Sequence, residues 1–274
     1  MWYKTCWIWF VLLGFAVQAT PIEWDGIVYD DETVAKMITI ITTTDPIPSI
    51  PSLKHIYPSQ KSLFRIPAFA KCKKIIVFDG LQPGWEHRHN DYECYKHSIA
   101  QLCSSDPIFS NTKLVFCDRW EHLAGAIRKA MLYVTTPYIF VHQHDFVLQK
   151  SFDLNGVITS MQRNPNIKHV KLPYPPVNTD FAAGSTEEYV EGPSYVPLCR
   201  TFIWSDQDHV SRAAYYNEFV LPYCHRCPME LVLDPLLGQT RSLLGDQCHS
   251  LFGTYVYGTI QDGGYLLHSN GREN

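Results

Sequence analysis

The sequence has no excess of positive charge: 23 Lys and Arg stand against 27 Asp and Glu, for a formal net charge of −4. A nucleic-acid partner is therefore a poor expectation, because such binders carry a basic footprint. An anionic small ligand would need local positive groups or a metal ion. There is no internal repeat and no low-complexity tract, so solenoid and compositionally disordered readings are set aside. No Asn-x-Ser/Thr acceptor occurs. The cysteines fall short of a zinc framework. Cys224-His225-Arg226-Cys227 invites a zinc reading, but a second pair with ligand spacing is missing, Cys248 and His249 being adjacent.

What is present is ample material for a core. Hydrophobic residues make up 46% and aromatics 14% of the 274 residues, enough for one large domain or a domain with a small appendage. Lys4, the apolar run from Cys6 to Val17 and the small-residue site Val17-Gln18-Ala19 have the layout of a signal peptide over residues 1–19. The alternative is a retained signal-anchor of type II orientation, since residues 5–22 carry no charge. Either reading puts the rest of the chain in the secretory lumen (ER or Golgi) or outside the cell. The eight Cys beyond this segment then favour some disulfides over zinc, with connectivity open.

Along the chain, strands and helices alternate. Lys36 to Thr44 is a β-branched run that reads as a strand ending at Asp45-Pro46, followed by a Pro/Ser-rich loop. Lys74 to Phe78 is a second strand, closed by Asp79-Gly80. Asn90 to Cys103 has helical spacing, and Lys113 to Cys117 is a third strand ending at Asp118. Residues 119–134 give the clearest helix, with Arg128 at the edge of its apolar stripe. Tyr138 to His142 is a buried strand that stops at Gln143-His144-Asp145, and Asp153 to Arg163 is a further helix. This alternation predicts a mostly parallel sheet with helices on both faces, its acidic strand ends outlining a crevice at the carboxyl edge. The second half is less regular: strands at 167–172 and 198–204, a long loop at 173–197, a helix at 207–220 and a short one at 229–237.

In order and spacing, residues 36–165 resemble a GT-A nucleotide-sugar glycosyltransferase of the family-2-like type. The resemblance rests on Thr42-Thr43-Thr44-Asp45, Phe78-Asp79-Gly80, the Ala-rich helix with Arg128, and Tyr138 to Asp145. The tail, Gly253 to Gly258 and His268 to Arg272, is similar to the closing segment of some such enzymes. The resemblance implies a GT-A (Rossmann-like) α/β fold with a donor-binding half at 36–165 and an irregular acceptor-binding portion at 166–274. It implies an enzyme that moves a sugar from a nucleotide-sugar donor to a hydroxyl of a glycan, protein or lipid acceptor, with inversion. Thr43, Asp45, Asp79, Arg128 and His144 would contact the donor. Asp145 matches the last position of the family's Asp-x-Asp metal motif, and His268 would add a ligand. The first Asp of that motif is absent, Gln143 and His144 preceding Asp145. One carboxylate with an imidazole suits Mn²⁺ better than Mg²⁺. An inverting transfer also needs a carboxylate base. Asp206, Asp208, Glu218, Glu230, Asp234 and Asp246 are candidates, with Glu230 expected first and Asp234 second. Trp204, Tyr215 and Tyr216 could wall an acceptor site.

Two other readings compete. One is a binding protein of the same fold without turnover, made credible by the altered metal motif. The other is a metal-dependent hydrolase on His142, His144 and Asp145, since His-x-His on a strand points both rings to one face.

Overall fold

The computed structural model describes residues 28–176 and 196–269. The expected leader and anchor, most of the 173–197 loop and the residues after Ser269 lie outside the described residues. Among the described residues, no helix is long and apolar enough to cross a membrane.

Asp30 caps helix α1 (Asp31–Met37) by accepting from the Thr33 backbone N–H at 2.7 Å, so the first strand starts later than its β-branched run suggests. That strand, β1 (Ile38–Thr44), is buried along its whole length. After helix α2 (Ile56–Leu63) come β2 (Lys73–Phe78), helix α3 (His89–Ser105), β3 (Thr112–Phe116), helix α4 (His122–Met131) and β4 (Tyr138–Gln143). These four strands pair in parallel in the order β3-β2-β1-β4. The near-continuous burial of β1, β2 and β4 follows from cover on both faces, while β3 at the edge is only partly buried. On one face, Ile38, Ile40 and Phe140 pack with Phe69 and with Val157 and Ile158 of helix α5 (Leu154–Arg163). On the other, Ile41, Val77, Ile139 and Val141 pack with Ile127 and Ala130 of α4. A mixed extension completes an eight-stranded sheet.

The extension corrects the expected helix at 207–220. Its early part forms a strand instead, His209–Arg212, which lies antiparallel to β4 and pairs Val210 with Phe140. Helical backbone then runs unbroken from Ala213 to Tyr223, with a π turn at Tyr216–Val220, so the expected helix holds from 213 onward. A four-residue strand is too short to show a period, and its partners, Phe140 in β4 and Val170 in β6 (His169–Lys171), are distant in sequence. The helix expected at 229–237 instead runs through Glu230–Leu244, continuing past Gly238 to stop at Gly245 (φ 59°).

Candidate functional site

The strand order reverses between β1 and β4, and open α/β sheets bind ligands outside the carboxyl ends of strands at such a switch point. Asp45, Asp79 and Asp145 follow the carboxyl ends of β1, β2 and β4, three neighbouring parallel strands. Backbone bonds lock the rim: Asp79 N–H donates to the Thr44 carbonyl (2.8 Å) and His144 N–H to that of Thr43 (3.0 Å). The His144 Nδ1 lies 3.7 Å from Asp45 Oδ1. Asp79 Oδ1 accepts from the N–H groups of Gly80 (2.8 Å) and Glu121 (2.7 Å), tying the end of β2 to the start of α4. Gly80 is required there, because a Cβ would sit 2.1 Å from the Arg119 carbonyl carbon. Burial raises the Asp79 pKa, against its backbone hydrogen bonds, and nearby Asp45 adds to the rise.

Asp145 is met by the end of the chain. The last described strand, Leu266–His268, pairs antiparallel with β5 (Phe146–Leu148), placing His268 opposite Phe146. His268 Nε2 lies 3.0 Å from Asp145 Oδ2, while Ser269 donates to the Asp145 carbonyl through its N–H (2.7 Å) and its hydroxyl (2.9 Å). Burial pushes the Asp145 pKa up, but the hydrogen bond to His268 and the neighbouring His144 and His268 rings outweigh it, leaving about 2. The carboxylate therefore stays ionised at any physiological pH. His55, at the start of α2, joins the cluster through Nδ1, 2.8 Å from Ser269 Oγ.

No group of three or more His, Cys, Asp or Glu is arranged to hold a metal ion among the described residues. The buried atoms Asp145 Oδ1, His144 Nε2 and His55 Nε2 nevertheless have no hydrogen-bond partner among the described residues. The donors thus fit a cation only if a diphosphate and water complete its shell, as is common for cations held by one or two carboxylates.

A second acidic group borders the same strand end. The Gln143 side-chain amide donates to the Asp206 carbonyl at 3.0 Å, and Gln143 N–H donates to Asp208 Oδ1 at 3.0 Å. The half-buried Asp206 carboxyl faces Glu230, the first residue of helix α6 (Glu230–Leu244). Burial and the like charge of Glu230 raise the Asp206 pKa to about 7. Ser205 Oγ donates to Glu230 Oε2 at 3.3 Å, whereas Asp234 Oδ1 accepts the Trp204 N–H at 2.9 Å and serves the backbone. A carboxyl held near neutrality beside a second carboxylate can accept a proton from a hydroxyl.

The structure takes several expected residues elsewhere. Arg128 sits in the last turn of α4, away from the rim, and its guanidinium donates to the carbonyls of Leu221 and Cys224, the latter at 2.8 Å. Replacing it with Ala is expected to cost about 1 kcal/mol of stability and to leave nucleotide affinity unchanged, read by urea unfolding and titration calorimetry. His142, needed for the hydrolase reading, is fully buried with both nitrogens engaged: Nδ1 lies 2.5 Å from Asp208 Oδ2 and Nε2 2.6 Å from Ser59 Oγ. It cannot ligate a metal. Trp204, Tyr215 and Tyr216 are core residues rather than an acceptor wall, with Trp204 Nε1 donating to Tyr215 Oη at 3.3 Å. All eight described cysteines are free thiols, so the expected disulfides are not formed here.

Sequence reasoning passed over His55, Ser59 and Ser269 and ranked Asp206 behind Glu230. Asp206 stood among the six candidate carboxylates, while Ser59 and His55 lie in a stretch with no sequence signal.

No protein-family model matches the chain, and no curated protein sequence is significantly similar to it. Solved structures do match. The mannosyltransferase PcManGT from Pyrobaculum calidifontis, in complex with GDP-Man and Mn²⁺, superposes with a TM-score of 0.50 at 14% identity over 86% of this chain. S. aureus TarS in complex with UDP-GlcNAc gives 0.47 at 12% over 84%. The chain spans 60% of the mannosyltransferase structure and 57% of the TarS structure. The sheet order, the acidic rim at the switch point and the first of these likenesses agree: the chain has a GT-A-like glycosyltransferase fold.

Proposed function

We propose that the protein is a nucleotide-sugar glycosyltransferase that works with inversion at the sugar carbon. The observation that carries this reading is the placement of two unlike acidic groups around the end of β4. Asp145, ionised and backed by His268, stands at the switch point, while the Asp206/Glu230 pair stands beside Gln143, two residues before it. Two carboxyl environments with pKa values pushed apart are how one site divides its roles. The donor diphosphate would lie across the β1 and β4 ends, near Thr43, Asp45 and His144. A divalent cation of the Mn²⁺ type, when bound, would neutralise charge building on the diphosphate, with Asp145 and His268 the residues to hold it. The Asp206/Glu230 pair would accept the proton of the attacking acceptor hydroxyl. In this reading Asp234 is set aside as base, since one of its oxygens accepts the Trp204 N–H. The reading is tested by donor turnover across UDP- and GDP-sugars with Mn²⁺. Nucleotide affinity without any turnover would favour the binding-protein alternative.

The pair also predicts a pH effect on stability. An acid raised from 3.8 to about 7 keeps its proton in the native state after the unfolded chain has lost its own. The native state then binds more protons between these pH values, so this group's contribution falls as pH rises through that window. Glu230→Gln removes the like charge and is expected to flatten the fall, seen as a smaller difference between urea midpoints at pH 5 and pH 7.5.

A further inference from the structure

We propose that Cys224 and Cys227 are a redox couple that closes into a disulfide and anchors the chain directly ahead of Glu230. Cys224 follows the last short helical segment, Leu221–Tyr223, and is buried, whereas Cys227 is half-buried and open to a reagent. The two thiols stand three residues apart in the bend that follows, near enough for each to act electrostatically on the other. Their backbones are already pinned to α4 and the residues ahead of it. Arg128 donates to the Cys224 carbonyl at 2.8 Å, and Ala124 N–H donates to that of Cys227 at 3.3 Å. Between them, Arg226 donates to the Trp120 carbonyl at 2.5 Å and pairs with Glu121 at 3.2 Å. Closing the bond then joins side chains whose backbones already have fixed partners on α4.

The couple reaches the acidic site through one residue. The Cys224 thiol lies 3.9 Å from the carbonyl of Met229, and that carbonyl accepts the N–H groups of Val232 (3.1 Å) and Leu233 (2.9 Å) in the first turn of α6. Glu230 opens this turn. Cys224 is buried, and burial with the adjacent Cys227 thiol pushes its pKa to about 12, so the more accessible Cys227 is the group a reagent meets first.

The electrons come from the two thiols and go to a small-molecule disulfide such as glutathione disulfide. The Cys227 thiolate attacks one sulfur, the S–S bond breaks, and one glutathione leaves as thiolate and takes up a proton. Cys224, losing its proton to water, then attacks the Cys227 sulfur of the mixed disulfide and expels the second glutathione. Two glutathione thiols and one protein disulfide result.

The sequence supplies a clean test, because trypsin cuts after Arg226, between the two cysteines. The full chain is equilibrated at several ratios of reduced to oxidised glutathione, alkylated and digested without reduction. The expected result is that fragments 213–226 and 227–241 travel as one species under oxidising ratios and separate on reduction. Finding them apart, each alkylated, at every ratio would overturn the couple. Cys227→Ser should leave fragment 213–226 unlinked; its capture by another cysteine would overturn the specific pairing. Amide exchange at 229–233 is expected to slow several-fold on oxidation, and equal rates in both forms would overturn the anchoring. None of these readouts depends on glycosyl transfer, so their failure and the failure of the proposed function are distinguishable.

Discussion

Asp145→Asn is expected to lower nucleotide-sugar turnover by roughly 100-fold or more, the loss typical when one preorganised charge at a reacting group is removed. Asn keeps the shape and can still accept from His268, so the pairing of β5 with Leu266–His268 should persist. What is lost is the negative charge at the switch point. The same substitution has a stability signature with a definite sign. Asp145 has its pKa depressed from 3.8 to about 2 in the folded state. A depressed acid contributes stability that is fully present above the unfolded value and is lost as pH falls through the folded one. That contribution is on the order of 2 kcal/mol. Wild type should therefore exceed the variant in urea midpoint at pH 7, with the gap closing as pH falls from 3.8 towards 2. Unchanged turnover in the variant would end the assignment of Asp145 to the donor site.

Asp208→Ala is expected to have the largest effect on folding, about 3–5 kcal/mol, because it leaves a buried partner without its acceptor. Asp208, His142 and Ser59 are fully buried, and each links a different part of the fold: the approach to the strand His209–Arg212, β4 and α2. One Asp208 oxygen accepts the Gln143 N–H and the other meets His142 Nδ1, so truncation strands two polar groups at once. Burial raises the Asp208 pKa, against the lowering by His142 and by the Gln143 N–H. Ser59→Ala, which removes only the outer hydroxyl, should cost about 1–2 kcal/mol. Urea unfolding of both variants gives the comparison. A smaller loss for Asp208→Ala than for Ser59→Ala would show that the trio does not depend on the carboxylate.

The geometry also explains how far the sequence could be read. Strands β1, β2 and β4 were legible because each carries a β-branched or apolar run that signals its burial within a few residues, and the edge strand β3 because Leu114-Val115-Phe116 is bounded by turn residues. The rim Asp45, Asp79 and Asp145 followed, since a parallel sheet puts successive strand ends on one edge. The strand His209–Arg212 was not legible. It is held by hydrogen bonds to strands far away in sequence, while the helical residues after it share its local window.

By itself, then, the sequence determined the doubly covered parallel half and the edge on which its acidic residues gather, because strand burial and chain direction are written in local patterns. Only the tertiary structure decided which side chains work together there. Asp145 meets His268 across 123 positions and His142 meets Asp208 across 66, while Asp206 faces Glu230 from a separate loop. Arg128 is drawn to carbonyls 93 and 96 positions away rather than to the rim. Such pairings depend on how far the packed backbone brings two groups out of water together, and no window along the chain contains both partners.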